Sequence, residues 1–377
     1  MDGGKIKQRD KNPRTAPVVE KSPGSIEVIQ SHPSARDDMD DSGEIPPREP
    51  LRTLVQQCQD CIRPAFTKAD KAALMLQRKY RGRATAAAVL GSAAVALAIF
   101  QLFLPLFLGR EPHWIWLFSV AEGAAALGTF LIVFLGMKAT LKEEWLLERF
   151  RAENLRLLKF RYLIESALRS HADMPWGDER LCELVEEITG TTYSALRGWL
   201  SEGTVPNALE WPASEPSKEF LDDLIMYYRR KRLRSQMAYL STRIESYQRK
   251  DKKTRLFGPA FFFGSVGFVL AHLMVEMGQA SAEQSHGSAD WSKLLILGAA
   301  LLPVAAGGLR IHRAANEFAR SASRFEAVHY TLRKLSERLR EAEGTPQALQ
   351  ELSFCEAVME GDLREWMRLM VEAEWYG

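Results

Sequence analysis

Four apolar runs, separated by clusters of charge, limit what this chain can become. From Ala84 to Phe107 the sequence carries no charge, and about 20 such residues suffice for a helix to cross a hydrocarbon core roughly 30 Å thick. A second run, Trp114 to Met137, holds one charged residue before its end, Glu122. A third, Leu256 to Val275, contains one ionisable residue, His272. The fourth, Trp291 to Leu309, has Lys293 near its edge and Pro303 inside it. It spans if Lys293 snorkels to the interface; otherwise it is a buried helix. The runs pair across short polar breaks. The expectation is an all-α membrane protein with two transmembrane helical hairpins, at about 84–107 with 114–137 and about 256–275 with 291–309.

Lys and Arg placement orients the spans. Lys68, Lys71, Arg78, Lys79, Arg81 and Arg83 precede the first run, and only Arg110 follows it closely. Lys138 and Lys142 follow the second, five bases from Arg249 to Arg255 precede the third, and Arg310, Arg313 and Arg320 follow the fourth. By the positive-inside rule the N- and C-termini are cytoplasmic. The connection EMGQASAEQSHGSAD has acids and no Lys or Arg, as an external loop requires. Residues 1–50 contain no apolar core of the length a cleavable signal peptide needs.

The remaining sequence divides into polar and amphipathic units. Residues 1–50 hold seven of the 17 Pro and the acidic stretch DDMDDSGE, a composition that reads as a disordered cytoplasmic tail. Residues 51–173 read as a helix broken at Pro64, the first hairpin, and a long helix with Leu147, Phe150, Asn154, Leu157, Phe160, Ile164 and Leu168 on one face. Residues 174–217 form a helical insert. Within it, Leu181 to Pro206 has the cadence of a helix-turn-helix, but Arg197 is the one basic candidate for base reading, so a packed insert is preferred to DNA binding. Residues 218–346 repeat the plan of helix, hairpin and helix. Leu233, Met237, Leu240, Ile244 and Tyr247 lead into the third run. After the fourth, Ile311, Ala315, Phe318, Ala322, Phe325, Val328, Leu332, Leu335 and Leu339 recur with a period near 3.5, which predicts a coiled-coil-like stalk. Residues 347–377 give a final amphipathic helix carrying Leu363, Trp366, Leu369, Met370 and Ala373, expected to dock on that stalk.

Chemistry-bearing motifs are few. Cys58 and Cys61 form a C-x-x-C pair without a second pair at zinc-finger spacing, and Cys182 and Cys355 are distant in sequence, so the pair reads as structural. Four Cys in 377 residues fit a reducing compartment. The seven His show no metal spacing, and phosphate-loop, nucleophile-elbow and dinucleotide fingerprints are missing. No catalytic residue, metal or cofactor is expected, nor an enzyme. Fifty Lys and Arg against 48 Asp and Glu give a net charge of +2, which provides no chain-wide attraction to nucleic acid.

Glu122 is costly in lipid, so it faces a bundle interior or a water-filled path. It lies about 13 Å from the outer end of its span, where it could line a pore or hydrogen-bond a neighbouring helix. His272 is a second intramembrane polar candidate. The run Arg229, Arg230, Lys231, Arg232 and Arg234 reads as a solvated helix face or as a contact for an anionic ligand or lipid. Gly91, Gly307 and Gly308 read as points of close helix packing.

The segment EEWLLERFRAENLRLLKFRYLIE, Glu143 to Glu165, resembles the helix that follows the hairpin in SLATT-type proteins, through Trp145, Arg149, Ala152, Glu153 and Arg156. FCEAVMEGDLREWMRL near the C-terminus resembles the acidic, Trp-bearing end of that group. SLATT-type proteins, the SMODS and SLOG associated two-transmembrane effectors, belong to bacterial conflict systems. The resemblance implies an oligomeric effector in the bacterial inner membrane that forms a pore or disrupts the membrane in antiviral defence, triggered by a nucleotide second messenger or a cytoplasmic sensor protein. This chain departs from the group in carrying two hairpins and a helical insert, without a fused nucleotide-sensing domain. A non-conducting scaffold that recruits a cytoplasmic partner is the alternative.

Overall fold

A computed structural model describes residues 38–41, 46, 48–108, 115–138, 140–168, 178–202, 216–280, 288–316 and 318–372. These form helices α1 (Leu51–Leu108), α2 (Ile115–Lys138), α3 (Leu141–Leu168), α4 (Asp178–Gly190), α5 (Tyr193–Ser201), α6 (Lys218–Tyr228), α7 (Arg234–Ala280), α8 (Ser288–Asn316), α9 (Phe318–Glu341) and α10 (Thr345–Glu372). One π-helical turn, Arg229–Leu233, joins α6 to α7 without a break. No strand occurs among the described residues.

Four of these helices are long and apolar enough to cross a membrane: α1, α2, α7 and the helix beginning with the fourth apolar run. Their apolar stretches display Val89, Leu102, Trp116, Phe130, Phe263, Met274 and Trp291 on the exterior. In water such a belt would be a large unfavourable surface, whereas lipid is its natural solvent. The fourth run, uncertain by length alone, is part of a 29-residue helix.

Close packing joins the apolar parts of α1, α2, α7 and α8. A Cβ at Gly298 would lie 3.1 Å from the Phe268 ring, and one at Gly308 would collide with the Ser92 hydroxyl. Small residues at such points let backbones approach, the usual basis of helix association in lipid. Gly91 similarly faces Thr129, but Gly307 meets nothing within 4 Å, so the expected packing role holds at Gly308 and not at its neighbour.

The polar parts of the chain form a helical body around α3. From Trp145 to Ala167 no described residue of α3 is fully exposed, so the one-sided amphipathic helix expected from its Leu and Phe spacing is instead at least partly covered on every side. The reason is charge pairing. Arg149 meets Asp70 at 3.0 Å, Arg161 meets Glu360, and Lys159 meets Asp41 at 2.7 Å, which allows the polar positions of α3 to be covered as well as the apolar ones.

Two apolar clusters complete the body. One unites Leu54, Val55, Ile62 and Phe66 of α1 with Leu155 and Leu163 of α3, Leu221 and Leu224 of α6, and Leu349 and Leu352 of α10. The other places Trp145 and Phe150 against Leu196 and Leu200 of α5 and Met367 of α10. Trp145 stacks on Tyr80 at 5.4 Å and meets the edge of Trp366 at 5.9 Å. The final helix packs on this body through Leu363, with Leu349, Leu352, Cys355 and Met367 covered more completely; Ala373 lies outside the described residues. On α9, Phe318, Ala322, Phe325, Leu332, Leu335 and Leu339 are buried, and Tyr247 of α7 packs its ring edge against Phe318 and Phe325.

One other expectation is revised. Pro64 lies inside α1 without ending it; proline sacrifices one backbone bond, and Ile62, Phe66 and Ala69 anchor the helix on either side by burial. The insert's α4 and α5 are joined across Thr191 and Thr192, with the Thr192 hydroxyl accepting from the Ala195 N–H at 3.3 Å. Its second helix is held down by Arg364, which lies 4.1 Å over the Trp199 ring and donates to the Trp199 carbonyl at 2.7 Å.

Candidate functional site

The site is built where α6 passes into α7. Continuing the buried positions Leu221, Leu224 and Tyr228 by three or four residues leads to Lys231 and Arg232. The π-helical turn accommodates them together, with the Arg234 N–H donating to the Arg229 carbonyl. One extra residue in the turn brings consecutive side chains inward, a device often found at functional sites. Tyr227, Tyr228, Lys231 and Arg232 are all buried.

Their counter-charges come from far away in sequence. Arg232, 2% exposed, donates from Nε and Nη2 to the two oxygens of Glu356 at 2.9 and 3.0 Å. Its Nη1 donates to Asp38 Oδ2 at 2.7 Å, and its guanidinium lies 4.7 Å from the Phe160 centroid. Burial opposes this charge, but Glu356 and Asp38 more than compensate and raise the Arg232 pKa. The Tyr228 hydroxyl donates to Glu356 at 2.6 Å. Burial and that carboxylate hold the phenol well above its ordinary pKa, so it acts as a fixed donor.

The acidic segment beside α1 enters the same centre. Asp38 accepts from Gln236 at 3.0 Å and pairs with Arg156 at 3.0 Å. Burial pushes its carboxyl upward, but Arg156, Arg232 and Gln236 outweigh burial and lower its pKa to about 2. Asp41 is enclosed more fully. Its Oδ1 accepts from the Tyr227 hydroxyl at 2.7 Å and lies 3.8 Å from the Lys231 ammonium, while its Oδ2 accepts from Lys159 at 2.7 Å and from Gln59. Backbone carbonyls add to the cage: Lys159 also donates to that of Asp38 at 2.7 Å, and Lys231 to that of Asp40 at 2.8 Å.

This geometry revises two expectations. Residues 38–41, assigned by composition to a disordered tail, are packed into the body, with Asp38, Met39 and Asp41 buried. Paired charges, together with Met39, supply what the local composition lacks. Of the basic run, Lys231 and Arg232 are buried on this chain's own carboxylates, rather than forming a solvated face. Arg230 and Arg234 are exposed and Arg229 is half-buried.

Glu122 and His272 lie elsewhere. The Glu122 carboxylate accepts from Gln101 Nε2 of α1 at 2.8 Å, and the Gln101 carbonyl oxygen accepts from Ser119 at 2.9 Å. A chain of polar groups thus links α1 to α2. His272 Nδ1 shares a hydrogen bond with Ser292 at 2.8 Å, and its Nε2 lies 3.3 Å from Glu276, linking α7 to α8. The two residues are not brought together.

The C-x-x-C pair divides. Cys61 is disulfide-bonded to Cys182, 121 residues away, tying α1 to α4, which departs from the reducing compartment that the low Cys count suggests; sequence distance obscures the partnership. Cys58 is a buried thiol, and burial raises its pKa to about 12, which leaves little thiolate near neutrality. No group of three or more His, Cys, Asp or Glu suited to a metal occurs among the described residues.

No family model, no curated protein and no solved structure matches this chain.

Proposed function

We propose that this chain is an oligomeric inner-membrane effector that forms a pore or disrupts the bilayer when a cytoplasmic signal reaches its helical body. The observation that carries the reading is continuity: α1, 58 residues long, begins in the polar body and continues into its apolar stretch, and the path from Lys218 through α7 does the same. A rearrangement in the body is thereby coupled mechanically to span packing. The topology proposed is two hairpins, α1 with α2 and α7 with α8, with both termini cytoplasmic and α7 and α9 forming a coiled-coil-like stalk. The SLATT-type resemblance of Glu143 to Glu165 supplies the effector class, antiviral defence and the expectation of a nucleotide or sensor-protein trigger.

One chain offers few polar span residues, so a conducting path requires several copies. In such an assembly, repeated Glu122 carboxylates would favour cations. A specific contact favours the second reading, a scaffold: Glu122 is already engaged by Gln101 within its own chain. The two readings differ in copy number and transport. Native mass spectrometry of the full chain in lipid nanodiscs is expected to show a defined oligomer. A strictly monomeric chain would contradict the pore and favour the scaffold.

A further inference from the structure

The acidic segment is bound as a ligand would be. Asp41 presents two carboxylate oxygens to donors from four places in the chain: Gln59 of α1, Lys159 of α3, Tyr227 of α6 and Lys231 of the π-helical turn. Lys159 and Lys231 are 1% and 3% exposed. Arg156 and Arg232 have acidic partners on the helices, Glu153 at 2.7 Å and Glu356 at 2.9 Å. Lys159, in contrast, makes its described hydrogen bonds to Asp38 and Asp41.

If the segment withdrew, a buried ammonium would lose its counter-charge, a change costing several kcal/mol unless water or another anion entered. The donor set consists of two ammonium groups, a phenol and an amide. It matches an oxyanion with several acceptor oxygens and offers nothing to a cation.

We propose that residues 38–41 are an internal, displaceable occupant of an oxyanion-binding site formed by Gln59, Lys159, Tyr227 and Lys231, and that a soluble phosphate-bearing ligand competes for it. Position favours a soluble ligand over a lipid head group. Lys159 lies 18 residues along α3 from its start after α2, roughly 27 Å at the helical rise. Lys231 precedes the third apolar run by 25 residues, or roughly 37 Å of helix. The binding site stands on this geometry alone; its use as a trigger rests on the effector reading above.

Calorimetric titration of inorganic pyrophosphate into the detergent-solubilised full chain tests the site, with sodium chloride matching ionic strength. The variant Asp38→Ala/Asp41→Ala is expected to bind at least tenfold more tightly than the wild type. Adding Lys159→Ala and Lys231→Ala should abolish that gain. Equal affinity of wild type and double variant overturns the proposal, as does a folded double variant that does not bind. A gain that survives loss of both lysines places binding elsewhere and also overturns it. If the double variant does not fold, recovery of its cooperative melt with pyrophosphate supports the site, and failure to recover contradicts it. None of these results depends on membrane conduction, so loss of the site and loss of the effector reading are separately visible.

Discussion

Lys159 illustrates how a charge can be carried into a helical core: its ammonium contacts Asp41 and the Asp38 carbonyl, each at 2.7 Å. Removing one member of a buried pair leaves the other uncompensated. Lys159→Met should therefore lower unfolding stability by about 3 kcal/mol, measured by denaturant titration in detergent, with exposed Lys334→Met as the control. A loss no larger than the control would contradict the buried pairing. Asp38 adds a pH dependence. Its pKa is lowered from 3.8 to about 2 in the folded chain, so its stabilisation is fully present above the unfolded value and fades as pH falls through the folded one. That contribution is about 2 kcal/mol. Acid titration followed by Trp fluorescence should show this loss between about pH 4 and pH 2 in the wild type and not in Asp38→Asn. Sequence alone did not reveal this centre. Asp38 and Arg232 meet across 194 positions, and local averaging over residues 1–50 hides a short anchored segment among Pro and polar residues. Two signals were nevertheless present: Met39 as an apolar residue among acids, and a buried periodicity through Tyr228 that falls onto Lys231 and Arg232.

At the level of elements, helix periodicity recovered faces where one side is covered and failed where every side is. The α9 stripe of Phe325, Leu332, Leu335 and Leu339 is buried as its spacing suggests. In α3 the spacing predicts burial of Phe150, Leu157 and Phe160, yet Ala152, Leu155, Lys159 and Leu163 are equally covered, because distant acids neutralise its bases. Pro64 misled for a related reason, since tertiary burial on both sides keeps α1 continuous. Glycine spacing also could not separate neighbours: Gly307 and Gly308 are adjacent, yet only the second closely approaches another helix in this chain. Gly308→Val is expected to force α8 away from Ser92 and destabilise by about 2 kcal/mol, the usual range for overpacking. Gly307→Val should change stability by less than about 0.5 kcal/mol. Thermal melts of both variants in detergent test the difference, and equal losses would contradict the α1–α8 contact.

For the whole molecule, hydropathy was the most legible feature, because lipid demands long uninterrupted apolar helices. The body was less legible because its cohesion rests on long-range ion pairs and aromatic contacts rather than on one local repeat. Under the proposed function, acidic residues 38–41 hold the body closed, and helices shared between body and spans carry its rearrangement to the membrane. The most direct test is the decay of a potassium diffusion potential in proteoliposomes carrying wild-type chain or Asp38→Asn/Asp41→Asn at equal protein-to-lipid ratio. The expected result is faster collapse with the double variant than with the wild type or with empty vesicles once oligomers are present. Potentials as stable as those of empty vesicles for both chains, with correctly folded and inserted oligomers, would contradict it.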